Sequence, residues 1–401
     1  MLAIRTVFLL SGAILGVFNP FVSPILAERG FTPAEIGFTA ALSSLAFTLA
    51  IPVWGHLGDV ALGRVAALRL AVIGSTFAVL GLLLDVPPAS VALLIVVFAI
   101  FQSAMTPLAD AVAVNALVMA PRTYGRIRLL ASLGYGGASL LAGRLYDVTG
   151  FGPVSILWAV IGVAILVTTV WVPDVGRYRE PDAGDHGGTA VSRRRVPLGG
   201  SLRLALSSQT QVRGVLLGLG LVHVGILAAF TFLSLRLLEL GGQPSDVALA
   251  AAVKAIAEIP AFLILHRILA TSGVRLLLIA GMVLYAFVMV LWAVIVDPTL
   301  LIASQVLNGI AYAAIVNAAV ISIAQLLPPE LQGTGQGLYQ TVAFGIAAIC
   351  ANSLGGLIFG TSGASALFLI CAVLALLGAV VIWRTMPTDD QASRLRNATS
   401  S

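Results

Sequence analysis

Gly55-His56-Leu57-Gly58-Asp59-Val60-Ala61-Leu62-Gly63-Arg64 is a polar turn set between two apolar runs, roughly residues 36–57 and 65–84. Each run holds about 20 residues, the length a helix needs to cross a hydrocarbon core of ~30 Å. Glycines let the backbone turn tightly with helices close together, and Asp59 and Arg64 can pair or cap neighbouring helix ends. Long apolar runs and short polar punctuation continue in both directions from this turn.

Of the 401 residues 59% are hydrophobic and 10% charged, with a mean hydropathy of +1.05. A soluble domain carries about 25% charged residues, so this is a polytopic membrane protein. The net charge of +5 comes from arginines at the ends of apolar segments, which excludes a nucleic-acid-binding domain as the reading. Cys350 and Cys371 lie inside apolar runs and read as packing residues. The four histidines are scattered, no metal site is suggested, and no GxxxxGK[ST] loop is present for ATP. No enzyme constellation and no cofactor are therefore expected. The first run, Ile4 to Leu26, is long enough to span and reads as a helix in place of a cleavable signal.

Twelve candidate spans follow: roughly 4–26, 36–57, 65–84, 90–118, 126–148 and 152–173, then 213–235, 246–268, 275–296, 299–327, 334–360 and 364–384. The predicted domains are an N-terminal six-helix bundle (1–173), a cytoplasmic linker (174–212) with Arg193-Arg194-Arg195, a C-terminal six-helix bundle (213–386) and a cytoplasmic tail (387–401). Arg5, Arg64, Arg122, Arg126, the linker, Arg267, Arg275, Arg384, Arg394 and Arg396 fall on one side, against Arg29 and Arg236 in the opposite loops. The positive-inside rule puts both termini in the cytoplasm of a cell membrane. The halves echo each other. Ala142-Gly143 through Gly150 at the end of span 5 parallels Gly355-Gly356 through Gly363 at the end of span 11, and Asp110-Ala111-Val112 parallels Asn317-Ala318-Ala319. Such internal repeats are what transporters with a central site between two halves show.

Charges inside apolar spans are costly unless paired or facing water, which makes them candidate functional residues. Lys254, the only lysine, lies four residues before Glu258 in span 8. This order supports a helix poorly, so the pair points to a polar interior, with a closed internal ion pair as the alternative. Lys254 can bind a carboxylate or hydroxyl, and Glu258 can exchange a proton with it. Asp110 lies about eight residues inside span 4, or ~12 Å, which places it near the midplane. His223 titrates near neutral pH when unperturbed and is a candidate proton carrier, or a hydrogen-bonded packing residue. Asn19, Gln102, Gln305, Asn308 and Asn317 either line a cavity or hydrogen-bond between helices at ~1 kcal/mol each.

The Gly55–Arg64 turn, with twelve spans and a central linker around it, resembles the cytoplasmic loop signature of the major facilitator superfamily, which would make Gly55, Asp59, Gly63 and Arg64 a gating loop. It departs from the fuller pattern at Val60, where an Arg is common. Thr106-Pro107-Leu108-Ala109-Asp110 and the run Tyr124-Gly125-Arg126-Ile127-Arg128 resemble the lactose permease and phenylpropionate permease branch, as does Gln336-Gly337-Leu338-Tyr339. That resemblance implies Asp110 and Arg128 as a substrate-binding pair. Lactose permease carries its proton-coupling Lys, His and Glu on helix 10, whereas Gln305 to Leu327 has no titratable side chain. Proton coupling then falls to Asp110, Glu258 and His223.

The expectation is an all-α membrane protein with twelve transmembrane helices in two pseudo-symmetric six-helix bundles, the major facilitator fold. Its predicted function is proton-coupled uptake of a small organic solute by alternating access, with one chain sufficing as a monomer. Substrate contacts are assigned to Asp110, Arg128, Lys254, Glu258, Asn317 and Asn19. The fifth span lacks the Gly-Pro signature of many drug antiporters, which favours import over the alternative of an antiporter or drug exporter. A non-transporting receptor or scaffold of the same fold is the other alternative.

Overall fold

A computed structural model describes residues 2–116, 121–172, 210–327 and 331–387. The regular elements among them are all helical. α1 (Leu2–Gly16) and α2 (Val22–Glu28) form the first span, joined by a tight turn at Asn19–Phe21 where Pro20 removes a backbone donor. The Tyr146 hydroxyl donates to the Val17 carbonyl at this break, 3.0 Å away, and so satisfies an acceptor there. α3 (Pro33–His56), α4 (Arg64–Leu80), α5 (Pro88–Ala116), α6 (Pro121–Thr149) and α7 (Val154–Thr169) complete the first half.

The second half begins with α8 (Thr210–Glu239), α9 (Pro244–Ser272) and α10 (Val274–Val294). α11 (Pro298–Ala303) and α12 (Gln305–Leu326) make the tenth span. α13 (Gln332–Gln340) continues through a π-helical turn at Thr341–Ile346 into α14 (Ala347–Thr385). Gly363, at φ 82°, breaks α14 between the last two expected spans, which gives twelve helical runs among the described residues. Eight helices there are long and apolar enough to cross a membrane, one of them the continuous Gln332–Thr385. α7 is shorter, and α6 and α9 carry the charges Arg128, Arg144, Asp147, Lys254, Glu258 and Arg267. Most of the expected linker, including Arg193-Arg194-Arg195, and the tail beyond 387 lie outside the described residues.

Two bundles follow from which helices touch. α1 packs on α6 and α7, α5 on α3 and α4, α8 and α10 on α14, and α12 on α9 and α10. Small residues permit the closest crossings, as van der Waals packing in lipid requires. A Cβ on Gly12 would lie 1.8 Å from the Ala131 carbonyl oxygen, and one on Gly134 2.0 Å from that of Leu9.

The halves repeat in backbone conformation as well as in helix count. Among the described residues the six glycines with positive φ fall in three matched loops: Gly30 with Gly241, Gly63 with Gly273, and Gly150 with Gly363. Only glycine adopts these left-handed angles without strain, so the pattern is written into the sequence. After the first pair the match extends to a capping box. Thr32-Pro33 with Glu35 opens α3, and Gln243-Pro244 with Asp246 opens α9 at the same spacing.

Contact between the halves is made chiefly by α3 against α14 and α6 against α9, with α2 against α8 adding to it. It is tightest at one end. A Cβ on Gly356 would lie 2.5 Å from the Pro33 carbonyl oxygen, and one on Gly143 2.9 Å from the Ser245 Cα. There the Asp147 carboxylate accepts the Ser245 N–H at 2.8 Å, an anion at the N-terminus of α9. At the other end, around Gly55, Gly333 and Gly337, a Cβ would meet nothing within 4 Å. That second end carries Arg64, Arg267, Arg275 and Arg384, whereas Arg29, Arg144 and Arg236 sit towards the tight end.

Candidate functional site

A cavity of about 920 Å³ lies between the halves, lined by α2, α3, α5 and α6 from one and α8, α9, α10, α12, α13 and α14 from the other. That is ample for a small organic solute. Towards the tight end its wall is buried, with Leu26, Ile36, Leu237 and Val247 all inaccessible. Towards the arginine-rich end the lining residues Ile51, Pro52, Val320, Gln340 and Thr341 are exposed. The cavity is therefore open at the arginine-rich end and closed at the other. Hydrogen bonds between the halves reinforce the closure: Ser23 Oγ donates to the Thr231 carbonyl at 2.8 Å, and Asn352 Nδ2 to Ser44 Oγ at 3.3 Å.

The lining is largely aliphatic, with aromatic rings and a few neutral polar groups set into it. Gln102 Nε2 donates to Asn19 Oδ1 at 2.8 Å, and Asn308 Nδ2 to Gln305 Oε1 at 2.9 Å. The Tyr285 hydroxyl, Ser43 Oγ and Gln305 Nε2 are buried with no partner among the described residues. Trp292, Tyr312, Tyr339, Phe98 and Phe344 add flat apolar surface. Trp292 is held by donation from its Nε1 to Ser304 Oγ at 2.8 Å, and Ser304 in turn donates to the Leu301 carbonyl.

Among the described residues, the one charged side chain in the lining is Lys254. Its Nζ is ion-paired with Glu258 and sits 4.0 Å from the centroid of the Tyr312 ring. Gly309 makes this possible, because the backbones of α9 and α12 meet there: a Cβ on it would lie 2.6 Å from the Lys254 carbonyl oxygen. A cation held between a carboxylate and an aromatic face is stabilised twice, by charge pairing and by the ring quadrupole.

The sequence-based candidates separate in space. Asn19 and Lys254 line the cavity, and Glu258 stands one turn beyond Lys254. Asp110 and Arg128 do form an ion pair, with side chains 27% and 48% exposed, but neither lines the cavity. The expected midplane depth of Asp110 is corrected. Its neighbour Ala111 offers its carbonyl to Arg64 Nη1 at 3.5 Å, so the pair sits level with the Gly55–Arg64 loop at the rim. α5 has 29 residues, about 44 Å at 1.5 Å each, and overshoots the hydrocarbon core, so a count from its end does not give depth.

Asn317 is half-buried on α12 and away from the cavity. His223 is fully buried: its Nδ1 faces the Leu219 carbonyl at 2.7 Å, its Nε2 faces the Tyr339 hydroxyl at 3.3 Å, and its ring packs edge-on against Tyr339 and Phe344. Nδ1–H donates to the carbonyl, and Nε2 shares its hydrogen bond with the Tyr339 hydroxyl. In the loop, Arg64 Nε donates to Asp59 Oδ1 at 2.8 Å, and Gly63 has φ 87°. Sequence reasoning passed over Tyr285, Trp292, Tyr312, Tyr339 and Asn352. The available signal was Tyr285 and Tyr312 in the middle of spans, away from the interfacial belts where tyrosines concentrate.

The chain matches the MFS_1 like family over residues 1–370. It is 27% identical over 373 residues to the maltose permease of Geobacillus stearothermophilus, covering 92% of this chain and 90% of that protein. It is 24% identical over 378 residues to the uncharacterized transporter YwbF of Bacillus subtilis (strain 168), covering 92% and 88%. In fold it resembles a point mutant of the nucleoside transporter NupG, with a TM-score of 0.81 at 15% identity, covering 96% of this chain and 99% of that one. It also resembles a D-xylose-proton symporter, with a TM-score of 0.67 at 15% identity, covering 96% and 97%. The matched family, the two-bundle helical fold and the cavity between the bundles agree: this chain belongs to the MFS_1 like family of major facilitator transporters, and it is a multi-pass membrane transporter and not an enzyme.

Proposed function

We propose that the protein is a secondary active transporter that takes up a small hydroxylated organic solute together with protons, by alternating access through one chain. The observation that carries this is the cavity itself, closed at one end by α3–α14 and α6–α9 contacts and lined by amides, aromatic rings and one paired cation. Similarity to a maltose permease supports a sugar-like solute. With the arginine-rich end cytoplasmic, as the positive-inside rule assigns it, the cavity opens to the cytoplasm of a cell membrane.

Coupling rests on Lys254 and Glu258. Ionised Glu258 holds Lys254, so a solute oxygen must compete with a carboxylate for the ammonium. Protonation of Glu258 removes that competitor, and the solute then binds more tightly. By linkage, a bound solute raises the affinity of Glu258 for its proton to the same degree. Solute and proton therefore load together. We assign the proton to Glu258 in preference to Asp110, which stands at the rim, and His223, which is enclosed by Tyr339 and Phe344. Asp110, Arg128 and the Asp59–Arg64 loop are assigned to the cytoplasmic gate.

The test is accumulation of radiolabelled maltose, D-xylose or uridine in proteoliposomes under an imposed pH gradient, alkaline inside. Uptake above the equilibrium level that collapses when the gradient is dissipated is the expected result. Efflux driven by the same gradient would indicate an exporter, and binding without flux a receptor.

A further inference from the structure

The cavity contains two side-chain amide pairs, one in each half, and both are incompletely used. Asn19 and Gln102 bond to each other across α2's approach turn and α5, and Gln305 and Asn308 bond to each other along α12. Each pair consumes one carbonyl and one N–H between its members. Whichever way the two amides are turned, one carbonyl and one amino group remain unused by the pair. In the second pair this remainder is deeply buried. Gln305 is 0% and Asn308 6% exposed, and Gln305 Nε2 has no partner among the described residues.

The Tyr285 hydroxyl is a further unused group on the same wall, in a residue 1% exposed. Two contacts set the register of α10 against α12: Gly281 against Ala314 and Ile315, and Trp292 against Ser304. That antiparallel register brings Tyr285 to within about one helical turn of the level of Asn308. Buried polar groups are nearly always hydrogen-bonded, so two such orphans on one cavity wall mark a place where a ligand completes the bonding.

Their chemistry selects the ligand. A leftover carbonyl needs a donor and a leftover amino group needs an acceptor. A hydroxyl supplies both, a carboxylate only accepts and an ammonium only donates. A carboxylate set against either amide pair would leave that pair's carbonyl unmet. Lys254 is ion-paired with Glu258 in this structure, and the preference argued here is the one set by the neutral groups alone. We infer that Tyr285, Gln305 and Asn308, with Asn19 and Gln102 opposite, form a hydroxyl-reading clamp that selects neutral solutes carrying hydroxyls at both ends. The inference rests on the carrier reading above and assigns its specificity to neutral side chains that line the cavity.

Tyr285→Phe removes only the unused hydroxyl, and Gln305→Met removes an amide at nearly constant shape. The assay is counterflow of radiolabelled maltose, D-xylose and uridine in preloaded proteoliposomes, with D-glucuronate as an anionic sugar of similar size. Counterflow needs no proton gradient, so it reads the clamp separately from coupling. Wild type should exchange at least one neutral solute and not glucuronate, and each substitution should raise KM for that solute by about tenfold. Thermal melting of the empty protein supplies the second readout. Tyr285→Phe should melt no lower than wild type and should lose the protection given by the exchanged solute. A hydroxyl with a structural role would instead lower the melting temperature of the empty protein, and that result overturns the inference. Exchange of neutral solutes with KM unchanged in both variants, or exchange of glucuronate alone, overturns it while leaving the carrier reading standing. No exchange of any of the four would overturn both.

Discussion

Gly356→Val tests the closure between the halves by steric force. A Cβ at position 356 would lie 2.5 Å from the Pro33 carbonyl oxygen and 3.0 Å from the Gly37 Cα, where ordinary contact begins at 3.4 Å. The obstructing atoms are backbone, so no side chain can swing aside. α3 and α14 must separate by about 0.9 Å, and valine's methyl groups add to that. Overpacking of this kind costs roughly 1–3 kcal/mol. The cost falls on the state in which α3 and α14 touch, so the equilibrium shifts about 5- to 150-fold towards separation at that end. Spin labels at Val148→Cys and Val296→Cys, both highly exposed and on opposite halves at the tight end, report the separation by double electron–electron resonance. Cys350 and Cys371 are replaced beforehand. Gly356→Val should move most of the distance distribution to a longer peak that is minor in the parent. A distribution unchanged in position and weight, in a variant that still melts cooperatively, would refute the argument that these glycines hold the cavity closed.

Three further substitutions follow from the same geometry. Asp147→Ala removes the carboxylate that accepts the Ser245 N–H at the start of α9. A helix-terminal charge is worth roughly 0.3–1 kcal/mol, so the long-distance population at the same label pair should rise about two- to fivefold. Asp110→Asn should leave the binding affinity for a transported solute within about twofold while slowing turnover, because the Asp110–Arg128 pair stands outside the cavity; isothermal titration and counterflow separate the two effects. Asp297 caps α11 by accepting the N–H groups of Thr299 and Leu300, and these bonds hold its carboxyl below its ordinary value of 3.8. A depressed folded-state value contributes stability that is present above pH 3.8 and lost as pH falls through the lower folded value. Asp297→Ala should therefore lower the melting temperature at pH 6, and the gap to wild type should narrow towards pH 3.

The helical frame was legible because a bilayer imposes a length. Apolar runs of ~20 residues between polar turns marked the spans, and Gly363 fell where the last two were expected to part. A stronger signal of the repeat went unused in the sequence: Gly30-x-Thr32-Pro33-x-Glu35 and Gly241-x-Gln243-Pro244-x-Asp246 share spacing, positive φ and capping role. The site was harder to read. Charges are conspicuous in an apolar chain, and they drew attention to Asp110 and Arg128 at the rim, whereas the polar groups of the cavity wall are mostly neutral amides and hydroxyls. Along α12, hydropathy hardly distinguishes one face from another, so periodicity does not reveal which face meets water. Helical geometry does sort the asparagines once one is fixed. Asn317 is nine residues after Asn308, about two and a half turns, and so projects from the opposite face. Which of the two meets the cavity depends on the packing of α9 and α10 against α12, and pairings between distant helices are not encoded in local pattern.

The central claim, that solute and proton load together through Lys254 and Glu258, is tested most directly by a pH-sensitive dye sealed inside proteoliposomes. Maltose, D-xylose or uridine is added outside, and wild type is compared with Glu258→Gln. The account predicts solute-triggered acidification of the lumen in wild type and none in Glu258→Gln, with counterflow of the same solute preserved in the variant. Undiminished acidification in Glu258→Gln would contradict it, as would solute exchange in wild type with no proton movement at any pH.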